Sequence, residues 1–408
     1  MKVLAVSRNF PNPVRPFEGT WACTQFKALT EYGADVRVLS PRLVNFKTLL
    51  NPSELSYFVR RPGEWVHAGL KTFGPKVFLW KASSKLRHTY AQQYRKGVQK
   101  LVADIHRQWP FDVIYTQAIN PDAVVALELA RRHNAIAAGC IIGQAEVAGA
   151  VEDPVLRKMT IETIKELDCV FAESAEVARI AGELTGNCRP IHPLHRGTFP
   201  EDMTIHPEIS SRWKKQFGFP HESVVVMFVG HLYKAKGVLD LLDAFRSVHD
   251  EFPAARLVFV GTGNQDKVLK GRVRSYSLDG MVYFTGPVPY DHIPSLMNLA
   301  DFLCSPSHSE GLGLVNVEAG FCGKAVVGAR TGGIPEAVCD GRTGLLFEPG
   351  NVDQLAEKLR MMLEDEDMRR RMGEAAKAFV AEHHDAHKNT KLLYDRLNEA
   401  VRHRKLNG

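Results

Sequence analysis

Short runs of Val, Ile, Leu and Ala recur along the chain, separated by longer stretches whose apolar residues return every three or four positions. The first run is VLAV at residues 3–6. A helix-period stretch covers about 20–32 and stops at Gly33; apolar runs follow at 36–39, 113–116, 135–142 and 169–172. Strands alternating with helices predict a parallel sheet covered on both faces. The Pro, His and Arg-rich stretch 189–200 reads as a linker. The pattern then restarts. Val224–Val229 opens a second α/β segment, with further strands predicted at 257–260 and 282–285. All three run directly into glycine, at Gly230, Gly261 and Gly286. Glycine at the carboxyl end of a parallel strand lets a ligand come close to the backbone; ordinary strand-to-loop punctuation is the alternative. From about residue 352 the pattern is helical to the end, interrupted at Glu364-Asp365-Glu366-Asp367. Those acids are predicted to cap a helix N-terminus, where negative charge is favoured, in preference to holding a metal. His383 and His387 are predicted to share one face of a solvated helix end.

Length changes this picture only by fixing its scale. The 408 residues suit two domains of about 200. The 45% hydrophobic and 24% charged residues are those of a globular chain, which disfavours disorder, collagen and coiled coil. No apolar run approaches the roughly 18 residues of a membrane span. The opening MKVLAVSRNF breaks at Ser7-Arg8, so no secretory signal is expected. The seven cysteines are scattered without a C-x-x-C, which suits a reducing cytoplasm.

Charge is uneven. Residues 1–199 carry 26 Lys+Arg against 18 Asp+Glu, whereas 200–408 carry 26 against 28. Much of the excess lies between Arg60 and Trp109, interleaved with Phe58, Trp65, Phe73, Phe78 and Trp80. A basic and aromatic surface over 58–107 is expected to suit an anionic membrane, which would make the protein peripheral at the inner face; a solvated basic face over core aromatics is the plainer reading. No nucleic-acid module is recognisable in it. The chain also lacks G-x-G-x-x-G after a strand, G-x-x-x-x-G-K-[ST], H-E-x-x-H and G-x-S-x-G. That removes the commonest dehydrogenases, P-loop NTPases, zinc peptidases and serine hydrolases.

The candidate chemistry lies in SPSHSEGLGLVNVEAGFCGKAVVGARTGGIP, residues 305–335. A strand at 302–304 enters a glycine loop, and a helix is predicted from Leu314 to Phe321. Gly311-Leu312-Gly313 therefore sits at a helix N-terminus, where unpaired amides and the dipole suit a phosphate. Glu310 and Glu318 frame that loop. Paired carboxylates suggest glycoside hydrolysis first, but a fully helical interval of eight residues would span about 12 Å, beyond the separation that chemistry uses. Acids on either side of a phosphate site suit the two ends of one ligand. Glu318 is placed for the hydroxyls of a ribose and Glu310 for a sugar beyond the diphosphate; a capping acid and a surface glutamate are the bland alternative. Lys236, in VGHLYKAKG after the 224–229 strand, supplies a cation for a departing diphosphate.

These residues resemble family 4 retaining glycosyltransferases. Glu310-Gly-Leu-Gly-Leu-Val-Asn-Val-Glu318 is similar to that family's E-x7-E signature, followed by Thr331-Gly-Gly-Ile-Pro-Glu336 and Asp340-Gly-Arg-Thr-Gly-Leu-Leu346. Phe10-Pro11-Asn12 with Gly19-Thr20 resembles members that build bacterial surface polysaccharides. The resemblance implies an α/β GT-B fold: two Rossmann-like, doubly wound domains facing across a cleft. The acceptor domain would be 1–195, with the C-terminal helix 385–408 packing back on it. The nucleotide-sugar domain would be 196–384. It implies a catalytic role for Lys236, Glu310 and His231. It implies donor binding by Gly19, Gly230, Val288 through its backbone, Gly311, Leu312, Gly313, Leu314 and Glu318. No metal or other cofactor is implied. The partners would be a nucleotide sugar and a saccharide or lipid-linked acceptor. Departures are His231 where the family has arginine, and Gln144 or Glu146 in place of a cleft histidine. The interdomain segment reads Arg196-Gly197-Thr198-Phe199 where the family has Asn-Gly-x-Asp. The expected activity is hexosyl transfer with retention in cell-surface polysaccharide or glycolipid synthesis. A nucleotide-sugar epimerase and a catalytically decayed partner subunit are the rival readings.

Overall fold

The structure is a computed structural model and describes residues 1–16, 18–80, 87–143, 146–147 and 153–407. The chain divides into two compact units, Met1–Arg196 with Ala386–Gly408, and Gly197–Asp385.

Unit 1 carries strands β1 (Lys2–Val6), β2 (Asp35–Leu39), β3 (Arg42–Val44), β4 (Glu64–His67), β5 (Leu70–Phe73), β6 (Lys76–Phe78), β7 (Val113–Thr116), β8 (Ile136–Ile141), β9 (Cys169–Ala172) and β10 (His192–Pro193). Eight form one sheet in the order β10-β9-β8-β7-β1-β2-β5-β4, and β3 pairs with β6 separately. Every ladder is parallel except β4–β5 at the edge. The chain enters mid-sheet and winds outward both ways, the Rossmann pattern. Central strands such as β8 are buried at every position because helices cover both faces. The segment 42–78, for which the hydrophobic pattern predicts no strand, holds four (β3–β6). Charged and polar residues interrupt each of them (RLV, EWVH, LKTF and KVF), so none forms an apolar run.

The C-terminal helix Ala386–Asn407 belongs to unit 1. Leu393, Leu397 and Val401, four residues apart, are buried in the same cluster as Phe26 and Cys140. Arg404 Nη2 meets Asp168 Oδ1 at 2.8 Å, and Lys405 Nζ meets Asp112 Oδ1 at 3.0 Å.

Unit 2 carries β11 (Val224–Val229), β12 (Ala255–Val260), β13 (Val282–Gly286), β14 (Phe302–Ser305), β15 (Ala325–Ala329) and β16 (Gly344–Phe347). Their order is β13-β12-β11-β14-β15-β16, all parallel. The winding reverses between β11 and β14. In open parallel sheets the carboxyl ends of the strands at such a reversal are the usual ligand position.

Two local expectations meet different outcomes. Asp365 does cap the helix Glu366–His383, accepting from the Met368 amide at 2.7 Å. His383 and His387 do not share a helix face. One helix ends at His383 and the next begins at Ala386. The break falls at His384, whose side chain is fully buried with Nε2 2.9 Å from the Glu336 carbonyl. His387 pairs with Glu31, Nδ1 to Oε2 at 2.8 Å.

Candidate functional site

The site in unit 2 is assembled from four strand-end loops. The first leaves β11. Gly230 ends the strand, and Leu232 is fully buried, its amide held by the Thr262 carbonyl at 3.1 Å. That anchor leaves His231 and Tyr233 exposed, their rings stacked with centroids 5.2 Å apart. Lys236 closes a 3-10 turn, and Gly237 starts the helix Val238–His249. Gly237 has φ +65°, and a Cβ there would lie 1.9 Å from the Pro306 carbonyl oxygen. The β11 loop is therefore pressed against the loop that leaves β14. The amide of His308 completes the junction, donating to the Ala235 carbonyl at 2.9 Å.

This contact brings Lys236 and Glu310 together across 74 residues of sequence. Lys236 Nζ donates to Glu310 Oε2 at 2.6 Å. Ser307 Oγ donates to the same oxygen at 3.2 Å, and the Gly311 amide to Oε1 at 3.3 Å. The third loop, after β15, backs this one: the Gly333 amide donates to the Gly311 carbonyl at 2.5 Å. Leu312 is fully buried, so only its backbone faces outward chemistry. Gly313 at φ +73° turns the chain into the helix Leu314–Phe321, which has no side-chain cap and no acid in its first turn. Its first amides have no acceptor within the helix, which leaves an anion-seeking end beside the Lys236–Glu310 pair.

Glu318 lies one turn into that helix, about 6 Å along its axis from Leu314. It is buried, and Tyr290 Oη donates to its Oε1 at 3.0 Å. Tyr290 and the half-buried Val288 come from the fourth loop, after β13. Burial pushes the Glu318 carboxyl up to about 7; the Tyr290 bond pulls the other way, and Asp202 adds to the rise. The folded chain thus holds a proton that the unfolded chain releases near its ordinary value of 4.5. The stability tied to this proton is fully present at low pH and is lost as pH climbs from about 4.5 through 7. The loss is on the order of 3 kcal/mol. Glu318→Gln is expected to flatten the fall in unfolding free energy between pH 5 and pH 8, read by urea titration of unit 2; an unchanged slope would refute the assignment.

The three strand-end glycines are packed on one another. A Cβ on Gly261 would fall 2.0 Å from the Gly230 carbonyl oxygen, and the Gly261 amide donates to the Gly286 carbonyl at 3.0 Å. The close approach there is backbone to backbone, which ties the three strand ends together.

Gly19 lies in unit 1, at φ +70° before the helix Thr20–Glu31, packed on the Asn9 carbonyl. Gln144 lies outside the described residues. Glu146 caps backbone: Oε1 accepts from the Ile119 amide at 2.5 Å and from Asn120 at 3.3 Å, and Oε2 from Ile142 at 3.2 Å. Burial pushes its carboxyl up to about 7 as well.

Sequence reasoning missed Tyr290, Ser307 and Asn316. Asn316 is 1% exposed, neither of its amide atoms has a partner, and its Nδ2 is 2.5 Å from the position of a Cβ on Gly313. Its signal was present: apart from Glu318 it is the only polar residue in LVNVEAGF.

Residues 210–379 match the family model described as Glycosyl transferases group 1. The chain is 29% identical over 230 residues to N-acetyl-alpha-D-glucosaminyl L-malate synthase of Bacillus anthracis, covering 56% of this chain and 59% of that protein. It is 33% identical over 179 residues to D-inositol 3-phosphate glycosyltransferase of Corynebacterium jeikeium, covering 42% and 43%. The chain therefore spans about half the length of the curated relatives it matches. Among solved structures, sucrose-phosphate synthase from Thermosynechococcus elongatus superposes with a TM-score of 0.79 at 19% identity, over 98% of this chain and 100% of that one. Anabaena HepE in complex with UDP-glucose gives 0.76 at 20% identity, over 98% and 100%. These likenesses show the fold, α/β with two Rossmann-like domains of the GT-B class. The segment carrying the site lies within the residues that match the group 1 glycosyltransferase model.

Proposed function

We propose that this protein is a retaining glycosyltransferase that moves a hexose-type sugar from a nucleotide diphosphate sugar to a saccharide or lipid-linked acceptor. The observation that carries the reading is the Lys236–Glu310 pair at 2.6 Å, set beside an uncapped helix N-terminus with Glu318 one turn beyond. Lys236, the amides of the 311–314 loop and His231 stabilise the leaving diphosphate. Glu318 and Tyr290 hold the ribose, the backbone at Val288 meets the base, and Glu310 orients the donor sugar. The acceptor hydroxyl forms the new glycosidic bond while the bond to the diphosphate breaks, and its proton leaves with the phosphate side. Fixed cations and dipoles aimed at the departing charge supply the main catalytic term, and this reading calls on no metal. The match of 210–379 to group 1 glycosyltransferases supports it.

Unit 1 presents the surface proposed to meet a membrane. Phe46, Leu50, Val59 and Trp80 are each more than three-fifths exposed, beside Lys47, Arg60 and Lys76. Phe78 links two of them, its ring centroid 6.1 Å from Phe46 and 5.5 Å from Trp80. Among the described residues no helix is long and apolar enough to cross a membrane.

A thermal-shift screen against UDP, GDP, ADP and TDP tests the donor half. One nucleotide is expected to stabilise the chain by about 2.7 kcal/mol at a hundredfold excess over Kd. UDP is the first candidate, because HepE was solved with UDP-glucose. The matched donor is then expected to turn over with an acceptor in EDTA as fast as without it. Isomerised donor in the absence of acceptor would favour an epimerase, and binding without turnover a decayed subunit.

A further inference from the structure

Unit 1 buries more positive charge than its carboxylates neutralise, at one place. Arg61 follows the helix Pro52–Arg60 and is 1% exposed. Its Nη2 donates to Ser40 Oγ at 2.7 Å, and its guanidinium sits 5.0 Å from the Trp65 ring centroid. Nε and Nη1 have no hydrogen-bond partner, and Arg61 forms no ion pair with a described carboxylate. Tyr57 Oη interacts with this guanidinium but brings it no charge; the same hydroxyl donates to Glu18 Oε2 at 2.8 Å and accepts from Asn12 Nδ2 at 3.1 Å. Arg42, on β3, stacks 4.8 Å from the Tyr57 ring, and its buried Nε is also unpartnered. Arg15 stacks 3.8 Å from the same ring. Glu54 is divided between the two, Oε1 to Arg15 Nη2 at 2.8 Å and Oε2 to Arg42 Nη2. Three arginines thus face two carboxylates, Glu18 and Glu54, with three buried guanidinium nitrogens left over.

Buried charges are ordinarily paired, and a guanidinium left without an acceptor is costly. Water would satisfy the N–H groups but not the excess charge. A carboxylate brings two oxygens, whereas a phosphate monoester brings three to three donors and suits guanidinium forks. Arg15 and Arg42 remain partly exposed, at 35% and 19% for their side chains, which leaves a route from solvent. We infer that Arg15, Arg42 and Arg61 around Tyr57 form a binding site for a phosphate monoester. That the phosphate belongs to the acceptor rests on the transferase reading above; the site itself does not. The helix Pro52–Arg60 turns Glu54 and Tyr57 into the cage and exposes Leu55 and Val59 on its other side. The monoester can therefore be a lipid headgroup beside the exposed apolar patch or a soluble phosphorylated sugar.

The test uses the full chain saturated with UDP, so that the unit 2 site is occupied. Inorganic phosphate is titrated against chloride of equal ionic strength, and the melting temperature is followed. Wild type is expected to respond. Arg15→Gln and Arg42→Gln, which spare the fully buried Arg61, are each expected to weaken phosphate at least tenfold. The surface variant Lys100→Gln is expected to match wild type. Equal responses in all four proteins would overturn the site, because the effect would then be general surface screening. Glucose 6-phosphate and vesicles of phosphatidic acid or phosphatidylglycerol separate the sources. Phosphatidic acid binding lost in Arg42→Gln assigns the monoester to a lipid, and a response to glucose 6-phosphate alone assigns it to a soluble ester. No response to phosphate or to either monoester overturns the cage. None of these readouts needs sugar transfer, so they stand or fall apart from the activity.

Discussion

Lys236→Ala is expected to lower kcat for sugar transfer by about 10²–10³-fold, the usual cost of removing one preorganised charge-stabilising group, or roughly 2.7–4 kcal/mol of barrier. The geometry argues for the upper end. Lys236 Nζ is fixed by Glu310 Oε2 at 2.6 Å, so its position is set before any substrate arrives. Removing it also leaves the Glu310 carboxylate, whose side chain is only 16% exposed, with Ser307 and the Gly311 amide as its remaining donors. Near an incoming diphosphate that uncompensated negative charge repels the leaving group. Lys236→Ala should therefore hurt kcat more than KM, because the charge matters most as the bond breaks. Steady-state kinetics with the matched donor, beside a melting curve to show that the variant folds, decides it. A kcat within threefold of wild type would remove Lys236 from the chemistry and, with it, the proposed mechanism.

Gly237→Val should destabilise unit 2 by more than about 2 kcal/mol and abolish most activity. Two causes add. The residue sits at φ +65°, where a β-branched side chain is strained by roughly 1–3 kcal/mol. Its Cβ would also fall 1.9 Å from the Pro306 carbonyl, so the β11 and β14 loops must part. Parting them separates Lys236 from Glu310. Gly341→Ala is the control: it has φ +73° but nothing within 4 Å of its Cβ position. It should cost only the backbone strain, about 1 kcal/mol, with activity retained. Unfolding followed by heat or urea for both variants separates collision from conformation. Equal losses in the two would mean that the loop junction contributes nothing.

Much of the fold was legible in the chain. Buried parallel strands are runs of Val, Ile and Leu, and such runs at 113–116, 169–172 and 224–229 became β7, β9 and β11 with the same bounds. The four strands of 42–78 were not legible, because charged and polar residues interrupt RLV, EWVH, LKTF and KVF, so none forms an apolar run, and their pairing is decided by neighbours far away in sequence. The helix 314–321 and the glycine turn before it were readable from local signals alone. Tyr290 was not, because it reaches Glu318 from a different strand end, 28 residues upstream. The shared helix face expected for His383 and His387 failed for a related reason. The chain breaks where His384 is drawn into the core of unit 2, and burial of that side chain is a tertiary event.

By itself the chain determined its alternation of strand and helix, its division near residue 196, and the glycine turn flanked by Glu310 and Glu318. All of these are written in local composition and spacing, the quantities that backbone sterics and hydrophobic burial read directly. Only the tertiary structure decided that Lys236 meets Glu310, that Tyr290 holds Glu318, that Glu146 ties backbone, and that three arginines converge on Tyr57. Each depends on which loops meet at the end of a sheet. Strand order fixes that, and strand order follows from packing many helices and strands at once, a free energy shared across the unit and carried by no single stretch of residues.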